Sequence, residues 1–206
     1  MAKEFILVNK VLIRYYGNMK TKQIYGYIER LSNLLRNEMR REGADYALQP
    51  VQLEALHYLS MCNRYSDTPM GVTEYLGQTK GTVSQSLKVL EKKAFLTKHA
   101  DKNDKRITHL KVSSAGEKLL KKSIPAPLFT HACEHLNEQS KAQIITGLKE
   151  LLQAVQRSNG MKSFGVCRTC RYNQKNKDGS YFCGLTREPL SQSDVQLICR
   201  EHENVA

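Results

Sequence analysis

The sequence predicts a mainly helical fold with one small β-hairpin, followed by a short cysteine-rich segment. Three observations support this. Apolar residues recur at three- and four-residue steps through most of 21–158, which is the period of an amphipathic helix. The pattern approaches strand-like alternation around 95–112, where two apolar runs flank a polar turn. Four of the six cysteines fall within 161–206.

Composition places the chain among basic globular proteins. The 206 residues include 32 lysines and arginines against 20 acidic residues, a formal charge of +12, and 40% are hydrophobic. This apolar content is enough for a core, and the length allows one domain with an appendage. Apolar runs end well before the ~20 residues that a bilayer crossing requires, so no membrane span is predicted. The apolar run at 5–8 is broken by Asn9 and Lys10 without a secretory cleavage site, which predicts a cytoplasmic protein.

The positive charge is concentrated in the middle of the chain. Residues 69–122 hold 12 basic and five acidic side chains, and this excess is more than half of the net charge of +12. Such a concentration is typical of a surface that binds a polyanion. An ordinary solvated, lysine-rich surface is the alternative.

The same region contains a helix-turn-helix candidate. A long amphipathic helix is predicted over 21–42, and Pro50 opens a second helix. A short helix follows over 71–76, and after a turn Thr79 can cap a helix over 80–94. Two short helices joined by a tight turn are typical of a helix-turn-helix, although an ordinary surface helix remains the alternative.

The helix over 80–94 divides into an apolar side and a polar side. Val83, Leu87 and Leu90 share one face, and short polar side chains and lysines occupy the other. A recognition helix needs this division, because its outward side chains must enter a major groove only ~12 Å wide.

A hairpin is predicted directly after that helix. Strands over 95–99 and 107–112 enclose a cation-rich turn at 101–106. This order predicts a winged helix-turn-helix, in which the tip of the wing can reach an adjacent, electronegative minor groove.

Further helices are predicted from Ser114, near Leu128 and over 138–156. The first long helix and the last one are not needed for the winged unit, yet each carries an apolar face. These faces are predicted to bury each other across a two-fold axis, which gives a homodimer. An intramolecular helix pair is the alternative.

Specific residues within 72–120 form a recognisable pattern. They are Leu76, the cap at Thr79, Val83, the Leu90-Glu91 pair, the Asp104-x-Arg106 motif, and Ser113-Ser114-Ala115-Gly116 at the exit from the wing. This pattern resembles the winged-helix core of MarR-type transcriptional regulators, and with the flanking helices the similarity covers about 21–158.

The resemblance implies a homodimer that binds double-stranded DNA at a pseudo-palindromic operator. Two recognition helices would enter successive major grooves ~34 Å apart. Arg106 would either pair with Asp104 and set the shape of the wing or reach the minor groove itself. A small-molecule effector is also compatible with the family. The DNA-binding residues that the resemblance implies are Thr79, Lys80, Thr82, Ser84, Gln85, Lys88, Lys102, Lys105 and Arg106.

Two positions depart from the family pattern. Ala94 stands where a glycine usually precedes the wing, and Lys105 stands where many members have arginine. Lysine contacts phosphate well but fits a narrow minor groove less well than arginine does. No operator sequence therefore follows from the resemblance.

The segment 161–206 lies outside the resemblance and carries four cysteines. Cys167, Cys170, Cys183 and Cys199 are spaced C-x2-C-x12-C-x15-C. The segment is too short and too polar to build its own hydrophobic core, so we expect a metal centre bound by these thiolates to hold it together. In a reducing cytoplasm the four cysteines are expected to be thiols or metal ligands rather than disulfides.

The cysteine spacing favours an iron-sulfur cluster over zinc. Structural zinc ribbons usually offer two C-x-x-C pairs, whereas here the second pair is split into single cysteines. A cubane cluster is wider than one ion and accepts ligands that arrive separately. The pattern resembles high-potential-type 4Fe-4S modules. A 2Fe-2S cluster, a Cys3His site that uses His202, and a zinc site are the alternatives.

These observations predict an N-terminal extension over 1–20, a MarR-like DNA-binding and dimerisation domain over 21–160, and a four-cysteine metal-bound module over 161–206. Met19 is an alternative start, because a periodic helix begins just after it. No nucleophile elbow, H-E-x-x-H motif or phosphate-binding glycine loop occurs in the sequence, so the chain is not predicted to be an enzyme.

The resulting functional hypothesis is a transcription regulator whose iron-sulfur cluster senses redox state, oxygen, nitric oxide or iron supply. The signal would pass to the DNA-binding unit through the helix that ends near Gln156. One alternative is a MarR-type regulator that responds to a small aromatic ligand and has a structural zinc. Another is an electron-transfer or enzyme-activating iron-sulfur protein.

Overall fold

The computed structural model describes residues 19–102 and 104–204. The predicted extension over 1–20 lies almost entirely outside them. The chain divides into two compact units, Met1–Pro50 and Val51–Ala206. In the first unit, helix α1 spans Lys20–Ala44, which confirms the long helix predicted over 21–42. The chain turns back after it, with the Leu48 amide donating to the Gly43 carbonyl at 3.0 Å.

The winged helix-turn-helix lies in the second unit. Helix α2 (Pro50–Met61) leads into it, and the ladder of the wing is antiparallel, with Leu96 opposite Val112. Every predicted helix and strand of this region is confirmed, with ends that differ by one or two residues. The elements are α3 (Pro69–Leu76), α4 (Lys80–Lys92), β1 (Leu96–Ala100), β2 (Thr108–Val112) and α5 (Ser114–Ser123).

One apolar core joins these elements. Each contributes aliphatic side chains that are almost fully buried, and burying one such side chain stabilises the fold by about 1.5–3 kcal/mol. The face of α4 predicted to be apolar supplies three of these buried side chains, and the opposite face of the helix is exposed to solvent. The largest core residues are Leu53, Leu56, Tyr58, Val72, Val83, Leu87, Leu90, Leu96 and Leu110.

Side-chain caps fix where the helices of the winged unit begin. Thr68 accepts from the Gly71 amide, Thr79 from Thr82, and Ser113 from Gly116, each at 3.1 Å. Each cap satisfies an amide that has no partner within its helix and contributes about 1 kcal/mol. The cap predicted at Thr79 is therefore confirmed.

Helix α4 is followed by a left-handed turn at Ala94. Ala94 has a φ of 58°, its amide donates to Glu91 O, and the Phe95 amide donates to Leu90 O, both at 2.9 Å. This pair of bonds is the Schellman motif, which usually places glycine at the left-handed position. An alanine there is strained, because its Cβ approaches the following carbonyl group.

Helices α6 (Pro127–Glu134) and α7 (Glu138–Ser158) follow the winged unit. Asn137 caps α7 by accepting from the Ser140 amide at 2.8 Å. No residue of α7 is buried, although its apolar side chains recur at helical spacing. The exposed ones are Ile144, Ile145, Leu148, Leu152 and Val155. Within the described ranges, no helix is long and apolar enough to cross a membrane.

The cysteine-rich segment forms a small antiparallel sheet, which the sequence analysis did not predict. Strands β3 (Asn173–Lys175), β4 (Tyr181–Cys183) and β5 (Glu188–Leu190) pair in chain order, with Asn173 opposite Cys183. Short helical turns at Cys167–Thr169 and Asp194–Gln196 flank the sheet. Strands of three residues give no detectable alternation in a sequence, which explains why they were missed.

Because Ala94 is strained, Ala94→Gly is expected to raise the free energy of unfolding by about 0.5–1 kcal/mol, even though glycine also gives the unfolded chain more freedom. Urea denaturation monitored by circular dichroism measures this. Ala142→Gly within α7 is the matched control and should destabilise the protein by about 1 kcal/mol. Destabilisation by both substitutions would contradict the assignment of strain to Ala94.

Candidate nucleic-acid interface and cysteine cluster

The outward face of α4 matches the predicted recognition surface. Val83 and Leu87 are about 1–2% exposed and anchor the helix, whereas every predicted DNA-contacting residue on it is exposed. The helix therefore presents short polar side chains and two lysines on a rigid support. The exposed residues are Thr79, Lys80, Thr82, Ser84, Gln85 and Lys88.

The wing carries three further exposed cations, Lys102, Lys105 and Arg106. Arg106 is paired within the wing: its Nε donates to Asp104 Oδ1 at 2.9 Å and its terminal nitrogen to Oδ2 at 2.8 Å. This pair lowers the pKa of Asp104 and raises that of Arg106. Of the two roles expected for Arg106, the structure supports the one that shapes the wing. The roles of the α4 and wing residues in DNA binding stay predictions.

A histidine ties the base of the wing to the loop before α3. His109 Nδ1 lies 2.5 Å from Asp67 Oδ1, and Nε2 lies 3.2 Å from Asp101 Oδ2. Hydrogen bonding to Asp67 raises the pKa of His109 above its usual 6.5, against an opposing effect of burial. The sequence analysis missed this network, because Asp67 lies 42 residues before His109 and the three residues match no motif.

The four predicted cysteine ligands line a single cavity. Cys167 and Cys170 flank the first helical turn, Cys183 ends β4, and Cys199 follows the second turn. Burial raises the pKa of Cys167, and repulsion from the other three cysteines, which reflects their proximity, raises it further. The structure thus brings together all four residues that the spacing singled out.

Polar groups of the module approach two of these sulfurs. Asn173 Nδ2 donates to Cys167 Sγ, and the Glu203 amide donates to Cys170 Sγ, both at 3.5 Å. Hydrogen bonds to sulfur are one means by which a protein tunes a bound iron-sulfur cluster. Across the described residues, however, no three His, Cys, Asp or Glu side chains converge closely enough to hold a single metal ion.

His202 lies apart from the cysteine cavity, so the structure gives no support to the alternative of a Cys3His site. It is 5% exposed, and its Nδ1 lies 2.7 Å from Ser163 Oγ and its Nε2 3.0 Å from Thr169 Oγ1. Both ring nitrogens are therefore occupied by hydroxyl groups, and the ring does not line the cysteine cavity. The sequence alone could not indicate this, since the partners of His202 lie more than 30 residues away.

The cysteine segment packs directly on the winged unit. The Ile198 amide donates to Met61 O, and Ile198 O accepts from the Asn63 amide, both at 2.9 Å. Arg200 forms a bidentate ion pair with Glu74 in α3, with two N–O distances of 2.6 Å. These contacts were not predicted, because pairing between positions more than 120 residues apart leaves no local signal in one sequence.

The His109 network makes stability depend on pH. Its raised pKa means that protonated His109 stabilises the fold fully below about pH 6.5, and that this contribution is lost as pH rises through the raised pKa. The free energy of unfolding of the wild type should therefore fall between pH 6 and 8 more steeply than that of His109→Gln.

Urea unfolding at several pH values measures this difference. His99→Gln is the matched control, because His99 lies on β1 directly opposite His109 and is exposed. Its profile should parallel the wild type. Equal slopes for the wild type and His109→Gln would show that the two carboxylates do not hold the proton.

Comparisons with known proteins agree with the fold. Residues 48–107 match the model of the MarR family. None of the curated proteins matches the chain. Among solved structures, the S. aureus MepR–DNA complex has 23% identity and a TM-score of 0.53, covering 63% of this chain and 97% of that one.

Two further structures are similar. Streptococcus pneumoniae FabT in complex with DNA has 22% identity and a TM-score of 0.54, covering 67% of this chain and 99% of that one. A MarR transcriptional regulator from Methanosarcina mazei Go1 has 17% identity and a TM-score of 0.57, covering 65% and 96%. At these identities the structural similarity establishes the fold, so the chain shares the winged-helix architecture of these proteins. The similarity to the MarR family model is confined to residues 48–107.

Proposed function

We propose that the protein is a DNA-binding transcription regulator. The observation that carries this proposal is the exposed polar face of α4 beside a wing with three exposed cations. Short polar side chains can read base edges, and lysines can neutralise phosphates. The match of 48–107 to the MarR family supports it, as do the MepR and FabT structures, both of which contain DNA.

The regulator is proposed to act as a homodimer. Large apolar side chains on α1 and α7 stay exposed in the single chain, and contiguous exposed apolar faces mark interaction sites. A second copy offers the same faces, so a two-fold arrangement would bury them and set two recognition helices on one duplex. The exposed fractions on α7 range from 46% to 67%.

The four cysteines are proposed to bind an iron-sulfur cluster. They line one cavity. Their spacing, one C-x-x-C pair followed by two single cysteines, suits a cluster, whose cysteines bind different irons, better than a structural zinc ribbon, which usually offers two C-x-x-C pairs. Such a cluster would supply a group that accepts electrons. Oxygen or nitric oxide would alter the cluster chemically, and iron shortage would leave the site without it.

DNA binding is tested by substitution on α4. Lys88→Ala should weaken binding to all duplexes alike and reduce the slope of log K against log salt by about one for each phosphate that is no longer neutralised. Gln85→Ala should instead reduce the preference for particular base pairs, by about 1–3 kcal/mol. Fluorescence anisotropy with duplexes selected from a random pool measures both effects.

The matched control for these variants is Lys177→Ala, an exposed lysine in the cysteine-rich segment. It removes one positive charge without changing α4 or the wing, so it should leave affinity within about twofold. If Lys88→Ala and Lys177→Ala behaved alike, α4 would not be the DNA-contacting helix.

The metal proposal is tested on protein purified without air. Iron and sulfide in a stoichiometric ratio, with broad visible absorbance, are expected for the wild type and for Cys133→Ser, since Cys133 lies outside the cavity. Cys199→Ser should lose most of the iron. Colourless protein with one zinc per chain would contradict the cluster, and wild-type retention of iron in Cys199→Ser would exclude this cysteine as a ligand.

A further inference from the structure

Cys199 lies between two anchors on the winged unit. The segment after α2, at 62–66, pairs with Ile198 through an isolated parallel β-bridge at Cys62. On the other side of Cys199, the Arg200 amide donates to Ser66 Oγ at 2.8 Å. The backbone on both sides of this cysteine is thus fixed to the loop that connects α2 to α3.

That loop is rigid because buried groups hold it. Ser66 is fully buried, and its carbonyl accepts from Tyr58 OH at 2.8 Å. Asn63, 1% exposed, accepts from Ser66 Oγ at 2.9 Å. Gly71, in the first turn of α3, packs directly against Ser66 and Tyr58. A Cβ at this position would clash with the Ser66 carbonyl oxygen and would lie 2.7 Å from Tyr58 Oη. A displacement of the loop would therefore displace α3.

Arg200 reaches α3 directly. Its Nε and one terminal nitrogen donate to the two carboxylate oxygens of Glu74, and the pair lowers the pKa of Glu74. The side chains are 25% and 31% exposed, so solvent screens the pair only in part. A bidentate pair fixes orientation as well as distance. Arg200 therefore holds the helix that precedes the recognition helix.

The cysteine segment has little hydrophobic core of its own. Its buried core is small and consists of Cys167, Leu190 and Val195, with Cys183 and Cys199 packed at the edge. Its strands and both of its helical turns are three residues long. A ligated group that joins four cysteines stabilises such a segment more than its apolar contacts do.

We propose that the state of the four-cysteine site controls DNA affinity through Arg200 and Glu74, with the cluster-loaded protein binding more tightly. This rests on the regulator and cluster proposed above. Loading orders the segment, and Arg200 then holds α3, and with it α4, in the position described. The loss of conformational entropy on ordering the segment and α3 then occurs when the cluster binds. DNA binding no longer bears that cost and is therefore tighter. The route differs from the one expected through α7.

The experiment compares dissociation constants of cluster-loaded and metal-free protein for one duplex, selected from a random pool by the full-length protein. For the wild type the metal-free form should bind 5- to 150-fold more weakly. In Arg200→Gln and in Glu74→Gln this ratio should fall to within about twofold, while iron content and visible absorbance stay at the wild-type level.

Arg171→Gln is the matched control. Arg171 also pairs with a glutamate, Glu203 at 3.3 Å, but both residues lie within the cysteine segment. This variant should keep the wild-type ratio. Amide hydrogen exchange gives a second readout: peptides of α3 should be more protected in the loaded than in the metal-free wild type, and equally protected in the two forms of Glu74→Gln.

The outcomes separate the two proposals. If wild-type protein bound DNA equally well in both forms, the sensor function would fail. A large wild-type ratio that persisted in Arg200→Gln and Glu74→Gln would overturn only the route through Arg200 and Glu74. A ratio that favoured metal-free protein would overturn both this route and the proposed direction of the effect. If Arg200→Gln lost its iron, Glu74→Gln would decide, because Glu74 lies on α3, outside the cysteine segment.

Discussion

The position of the helix-turn-helix depends on the loop between α2 and α3. Tyr58 Oη and Asn63 hold it from within the core, and Ile198 and the Arg200 amide hold it from the cysteine segment. These bonds matter because buried polar groups left without partners cost about 1–3 kcal/mol each. The loop therefore has little freedom while the cysteine segment is docked, and α3 inherits its position.

In the proposed complex with DNA, the wing and α4 would contribute differently to affinity and to sequence specificity. Arg106, the side chain of the wing best suited to a narrow minor groove, is engaged in a bidentate pair with Asp104. Lys102 and Lys105 are then the other exposed cations at the tip of the wing. Lysines give phosphate attraction without much base preference. Under the proposed function, sequence preference would come mainly from the short polar side chains of α4 and from Gln85, which offers both a donor and an acceptor.

Local patterns predicted most of the winged unit, whereas long-range contacts escaped prediction. Helical period, the cap at Thr79 and the two strands each depend on neighbours within a few residues, so one sequence contains the signal. The cysteine spacing likewise indicated that four side chains act together. The Arg200–Glu74 pair and the position of His202 depend on how segments distant in the sequence pack together. The residues next to Arg200 or His202 in the sequence carry no information about the charge or burial of such distant partners. Ala94 was recognised as unusual, but its left-handed φ of 58° required the structure.

Under the proposed regulation, the positions of the four cysteines in the fold would link a small site to the larger winged unit. Cys167 begins one helical turn and Cys170 follows it, whereas Cys183 ends a strand and Cys199 follows Ile198, which bridges to Cys62. A group bound by all four would therefore require both the small sheet and the docked bridge to be in place. Binding and docking are then linked, since whatever stabilises one stabilises the other by the same free energy. Because Tyr65 of the winged unit also lines the cavity and donates to Glu188 at 2.7 Å, that linkage extends across the junction to the winged unit itself.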